Sequence, residues 1–167
     1  IILILVWSSV WSLFKIAIEA IPPLSFRVII GLPAFVLLLC LGYQKVKKIT
    51  VPRTEWKSLL FISFFNVTLW QVLMLYGINM LGGGRAAILT YTMPVWAIIF
   101  AAIFRYEKIN FSIILSLILG MIGICFLSIE INIFENLFGF IITLSAGLSW
   151  AIGTMIVKYM GSLNPMG

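Results

Sequence analysis

Ligand-binding side chains recur at helical spacing near the start of the chain: indoles at Trp7 and Trp11, hydroxyls at Ser8 and Ser12, and Lys15 followed by Glu19. At 100° per residue they fall within an arc of about 140°, and the opposite face is aliphatic. Ser63, Asn66, Trp70, Gln71, Met74 and Gly77 share a similar arc further along, and Thr143, Gly147, Trp150, Thr154 and Lys158 repeat the theme near the end. This is chemistry for recognising a small molecule. Lys15 either attracts a carboxylate or phosphate, or pairs with Glu19 at i+4 or snorkels outward. Asn66 and Gln71 either wall a cavity, with Trp70 as a flat surface, or serve as interhelical hydrogen-bonding groups. Trp7 and Trp150 fit a cavity or an interfacial belt. Tyr91, a turn before Pro94, either reaches the cavity or packs as an aromatic.

Catalysis is poorly provided for. The chain has no His and only Cys40 and Cys125, so neither a zinc site nor a Ser-His or Cys-His nucleophile can be assembled from the usual groups. No catalytic residue, metal ligand or cofactor is assigned, and the chain is not expected to be an enzyme. Gly82-Gly83-Gly84 runs into Arg85 and lacks the Gly-Lys-Ser/Thr ending of a phosphate loop.

The elements that carry these residues must lie in lipid. Of 167 residues, 63% are apolar and 10% charged, with a mean hydropathy of +1.20. Sixteen charges, 11 Lys and Arg with 5 Asp and Glu, cannot cover a soluble globule of this size. Taking roughly 20 apolar residues per span, the chain divides into six helices: approximately Ile1 to Ile21, Leu24 to Tyr43, Ser58 to Leu81, Gly84 to Phe104, Ile109 to Ile129 and Leu137 to Met160. The expected fold is an all-α integral membrane protein. Short connections at Pro22-Pro23, Gly82-Gly83 and residues 105–108 require antiparallel hairpins.

Orientation follows from the positive charges, which cytoplasmic loops retain. Lys45, Lys47, Lys48, Arg53, Lys57, Arg105 and Lys108 lie on one side, and only Arg85 lies at a loop on the other, where Glu130 and Glu135 also fall. The loop 44–57 is therefore placed in the cytoplasm, and the first helix runs outward. The net charge of +6 is a topology signal, and no nucleic-acid partner is expected. Arg27, near the outer start of its helix, is expected to snorkel to the surface. Cys40 and Cys125 fall at different depths, too far apart for a disulfide, and are expected to be buried apolar residues.

At an offset of 143 residues, Trp7, Lys15 and Pro22 superimpose on Trp150, Lys158 and Pro165. The first and sixth helices thus read as openings of two homologous halves. Five helices per half is an odd number, so the second copy enters the membrane inverted, as in many secondary transporters. A chain that starts on Ile1 and stops after its sixth helix is expected to be a fragment, with about four more helices in the parent.

Small residues mark two helix faces: Ala87, Thr90, Pro94, Ala97 and Ala101 on the fourth span, and Ser112, Ser116 and Gly120 on the fifth. Such faces let backbones approach closely. Pro94 in mid-helix is expected to bend the fourth span, as a fixed kink or as a gating hinge.

Together the residues resemble the EamA domain of the drug/metabolite transporter superfamily. The resemblance is carried by Trp7-Ser8-Ser9-Val10-Trp11 with Lys15, Pro22-Pro23-Leu24-Ser25-Phe26-Arg27, Ala86-Ala87-Ile88-Leu89-Thr90-Tyr91-Thr92-Met93-Pro94, and Tyr106-Glu107-Lys108 before a fifth helix with Gly120 and Gly123. Ser9 stands where the family often has Asn. The resemblance implies one five-helix repeat over 1–129, a periplasmic or extracellular loop over 130–136, and the start of a second repeat over 137–167. It implies a ten-helix parent in the cell (inner) membrane that exports small metabolites, amino acids or related compounds, by alternating access. The candidate binding residues are Ser8, Trp11, Ser12, Lys15, Asn66, Trp70, Gln71 and Tyr91, with Pro94 as the candidate hinge. A small metabolite and the bilayer are the implied partners, and a homodimer is left open. Glu19 is the one acid that this division places within a span, so movement down the substrate's own gradient is expected over proton coupling. Two alternatives stay open: a flippase-like subunit for lipid-linked groups, and a non-transporting membrane scaffold.

Overall fold

The computed structural model describes residues 2–46, 53–104, 110–128 and 136–159, which are helical almost throughout. The expected all-α membrane architecture is what forms. Helix α1 spans Ile2–Ala20, α2 Pro23–Val46, α3 Trp56–Ile62, α4 Trp70–Leu81, α5 Gly83–Thr90, α6 Met93–Ile103, α7 Phe111–Ser128 and α8 Leu137–Tyr159. A short 3-10 turn, Arg53–Glu55, precedes α3, and a π-helical segment, Ser63–Leu69, joins α3 to α4. Five stretches are long and apolar enough to cross a membrane: Leu3–Ala20, Pro23–Gln44, Arg53–Leu81, Gly83–Ile103 and Leu137–Lys158. The sixth apolar helix is α7. Spans three and four are therefore each built of more than one helix.

The turns have local causes. Pro23 opens α2, where its fixed φ suits the first helical position and its missing N–H is not needed. Gly82 links α4 to α5 at φ +84°, a conformation that a side chain would strain. Its neighbour Gly83 lies under α1: a Cβ there would come within 2.8 Å of the Trp11 carbonyl oxygen. Asn136 caps α8 by accepting the Gly139 N–H at 2.9 Å, and its Nδ2 donates to the Met80 carbonyl at 3.2 Å. One side chain thus ties the start of α8 to the end of α4.

The core gathers Trp11 and Ile18 of α1, Trp70, Met74, Leu75 and Ile78 of α4, Ala86 and Ala87 of α5, and Ala146 of α8. Helix α8 is the most enclosed element and packs against α3, the π segment, α4, α5 and α6. It can do so because Gly139, Thr143, Gly147 and Ala151 set a small residue on one face every fourth position. A Cβ on Gly77 would run into Thr143 Oγ1, and one on Gly153 would lie 2.6 Å from the Asn66 Cβ. By contrast α2 and α7 present Leu32, Phe35, Leu38, Phe111, Leu119 and Phe126 outward, a surface that suits lipid and not water.

Two expectations need correcting. Pro94 does not kink a continuous helix: the fourth span is broken at Tyr91 and Thr92, and Pro94 sits in the first turn of α6. The Thr92 carbonyl accepts the amides of Val95 (2.9 Å) and Trp96 (3.3 Å), and the Thr92 hydroxyl donates to the Leu89 carbonyl at 2.8 Å. A proline in that position removes no hydrogen bond that the helix uses. Cys40 and Cys125 are both free, and both are exposed on the outer surface instead of buried.

Candidate functional site

Trp11 stands midway along α1, and its ring meets Tyr91 edge-on at 6.1 Å, at the break in the fourth span. On its other side α1 faces α4, where Trp7 and Trp70 lie 6.5 Å apart. Between α1, α2 and α4 lies a pocket of about 270 Å³, lined by Val6, Trp7, Val10, Trp11, Phe14, Arg27, Trp70, Gln71 and Met74. Four indole or phenyl rings form most of the wall, and the polar groups converge on it from three helices.

Among the described residues, the indole nitrogens of Trp11, Trp70 and Trp96 and the Gln71 carbonyl oxygen are buried without a hydrogen-bond partner, and Trp11 and Trp70 are only 5% and 6% exposed. A buried polar group without a partner costs about 1–3 kcal/mol. Among the described residues Arg27 also has no ion-pair or hydrogen-bond partner.

Of the candidate residues, the structure brings Trp11, Trp70 and Gln71 into this pocket, with Tyr91 against the far edge of Trp11. Ser8 and Ser12 are exposed on α1, and the Ser8 hydroxyl donates to the Leu5 carbonyl one turn back at 3.1 Å. Lys15 takes its local partner: Nζ lies 3.4 Å from Glu19 Oε1, one turn on. Asn66 faces away from the pocket. Its Nδ2 donates to Thr154 Oγ1 of α8 at 3.3 Å, and nearby the Ser149 hydroxyl donates to the Phe65 carbonyl at 2.7 Å.

Asn66 lies in the π-helical segment, whose turns hold more residues than α turns, and Trp70 follows it. Asn66 meets α8, while Trp70 and Gln71 border the same pocket as α1. Constant steps of 100° do not describe this stretch of the third span.

Arg27 was missed as a lining residue. The signal was the hairpin: Pro22-Pro23 folds α2 back along α1, so the start of α2 lies beside the C-terminal half of α1. The edge-on contact of Phe14 with Phe26, 5.3 Å between centroids, records that register, and Arg27 follows Phe26. No group of three or more His, Cys, Asp or Glu that could hold a metal ion comes together among the described residues.

Comparison with known proteins places the chain among membrane transporters. Residues 1–129 match the EamA-like transporter family. The uncharacterized transporter YoaV of Bacillus subtilis is 30% identical over 161 residues, covering 92% of this chain and 54% of the relative. The uncharacterized transporter YvbV of the same organism is 29% identical over 161 residues, covering 96% and 52%. An uncharacterized transporter of Buchnera aphidicola is 32% identical over 120 residues, covering 72% and 40%. This chain spans about half the length of the first two relatives. No solved structure matches it. With its family model covering most of the chain and its helices disposed as membrane spans, the protein belongs to the EamA-like transporter family.

Proposed function

We propose that the parent protein is a secondary transporter that exports small metabolites, amino acids or related compounds, across the cytoplasmic membrane by alternating access. The observation that carries this reading is the aromatic-lined pocket halfway along α1, with Arg27 and Gln71 among its lining residues, bordered through Trp11 and Tyr91 by a break in the fourth span. Transporters place their substrates near mid-membrane beside discontinuous helices, because a broken helix offers backbone groups and a pivot. On this proposal the loop 44–57 faces the cytoplasm, residues 1–129 form one repeat, and 137–167 open an inverted second repeat. The two halves rock about the pocket.

The test uses the protein in its full natural length, expressed in cells. Efflux of preloaded amino acids and related metabolites is compared between wild type and Trp11→Ala at matched membrane levels. Substrate-selective efflux in the wild type, reduced tenfold or more in the variant on the order expected for loss of an aromatic anchor, supports export through this pocket. No efflux of any compound despite normal insertion would overturn it, in favour of a flippase-like subunit or a non-transporting scaffold.

A further inference from the structure

The start of the third span carries a second group of side chains, remote in sequence from α1. Residues 44–57 hold five cations, Lys45, Lys47, Lys48, Arg53 and Lys57, against one acid, Glu55. Arg53 and Lys57 are both exposed and have no ion-pair partner among the described residues. Arg53 opens the 3-10 turn where the stretch that reaches Leu81 begins. Trp56, the first residue of α3, is exposed, as is Leu60 one turn on. From Trp56 an apolar groove of about 260 Å³ runs past Leu59 and Leu60 to Ser63.

The spacing puts these groups in one line. Residues three apart eclipse in a 3-10 turn, which sets Arg53 over Trp56. Residues three and four apart are neighbours on an α-helix, which sets Leu60 beside both Trp56 and Lys57. Side chains lean toward the start of their helix, here toward the basic segment. In the order met on entering the membrane, the line is cation, indole, apolar groove. A phospholipid with an anionic headgroup has the complementary order: a phosphate, an ester region at the depth that interfacial tryptophans occupy, and an acyl chain. Lipid reaches this face, since Leu60, Phe61 and Phe64 are all exposed along it. A soluble anion would leave the groove uncovered, and a lipid without net charge would leave the cations uncompensated.

We infer that the start of the third span binds one anionic phospholipid. Arg53 and Lys57 hold its phosphate, Trp56 covers the ester region, and one acyl chain lies in the groove that ends at Ser63. The site does not depend on what the protein carries; only the leaflet, the cytoplasmic one, follows from the proposed orientation of residues 44–57. Basic segments beside a span attract anionic lipids in general, and the groove turns that attraction into a held molecule.

The test uses the full-length protein in phosphatidylcholine vesicles that contain, in both leaflets, increasing amounts of a probe lipid with brominated acyl chains, which quench tryptophan. The probe is phosphatidylglycerol in one series and phosphatidylcholine in the other, with the same chains. Quenching of Trp56 is the part of the signal missing from Trp56→Phe. With the probe in both leaflets, the direction of insertion does not affect the reading, and efflux is not read, so failure here leaves the transport reading as it stands. Phosphatidylglycerol is expected to reach half-maximal quenching at a mole fraction about tenfold lower than phosphatidylcholine, on the scale of roughly fivefold per cation beside the membrane. In Arg53→Gln/Lys57→Gln that preference should fall below about twofold, whereas Lys57→Arg should keep it. Ser63→Phe, which fills the groove, should raise the half-quenching fraction of phosphatidylglycerol about threefold, the worth of about five atom contacts.

Equal half-quenching fractions for the two probes in the wild type would overturn the proposal. So would a preference that survives in Arg53→Gln/Lys57→Gln; if the double variant does not fold, Arg53→Gln and Lys57→Gln singly decide in the same way. An equal loss in Arg105→Gln/Lys108→Gln, which takes two cations from elsewhere on the same side, would mark a diffuse surface charge and no held lipid. An unchanged fraction in Ser63→Phe would place the chain outside the groove, and the proposal would fall.

Discussion

At the scale of single residues, the deciding question for each polar side chain is whether it already has a partner. Lys15 has Glu19 at 3.4 Å, with its side chain 34% exposed and that of Glu19 61% exposed. Such a pair at i+4 contributes at most a few tenths of a kcal/mol. Lys15→Ala is therefore expected to change both thermal stability and efflux by less than about twofold, and a loss of efflux as deep as that of Trp11→Ala would show that the lysine meets the substrate. The contact of Gly77 with Thr143 is of another kind, since no space is left for a methyl group. Gly77→Ala should destabilise the protein by about 1–3 kcal/mol as overpacking does, and Thr143→Ala in the same chain should recover part of that loss. Purely additive melting shifts for the pair would contradict the packing described. Trp11, Trp70 and Gln71, singled out by residue type and helical spacing, all line one pocket, and those two signals are local information. The sequence could not choose between the i+4 pairing of Lys15 and a ligand, nor say that Arg27 would have no partner among the described residues.

At the scale of elements, the apolar helices were legible to within about five residues at their ends, five of them long enough to span, since hydropathy and length decide where a helix can sit in lipid. The two irregularities were not. The π segment, Ser63–Leu69, is braced by α8 through Ser149 on the Phe65 carbonyl and Thr154 on Asn66. The break at Tyr91 and Thr92 lies against Gly147 of the same helix, where a Cβ would be 3.3 Å from Thr92 Oγ1. Both are tertiary features, dictated by a helix more than fifty residues away in sequence. Deleting one residue, Phe64, should turn the wide segment into an ordinary α turn with Trp70 still in frame, take Asn66 out of register with Thr154 and lower the melting temperature while membrane insertion is kept. An unchanged melting temperature would mean that α8 does not brace the wide turn. Pro94→Ala should change stability by less than about 1 kcal/mol, because the ring occupies a first-turn position; a larger gain in melting temperature would point to a strained mid-helix proline.

At the scale of the whole molecule, arrangement across the bilayer becomes the testable quantity. In a chain with Cys40 and Cys125 replaced by alanine, which their exposed positions should tolerate, Arg85→Cys is expected to react with a membrane-impermeant maleimide in intact cells. Lys57→Cys should react only after permeabilisation. The opposite pattern would invert the proposed topology, including the direction from which Arg27 is approached. The central place of α8 has a further consequence, in the timing of synthesis. Ser149 and Phe65 are 84 residues apart, and at roughly 5–20 residues per second the ribosome needs about 4–17 s to travel between them. For that interval the third span is already made while its braces are not. The Phe65 carbonyl and Asn66 are without their partners, and the groove at Gly77 is open. A nascent protein of this design has to keep a helix-wide slot vacant in the middle of its early spans until the sixth arrives, so whatever receives it at the membrane must hold those spans apart before it lets them close.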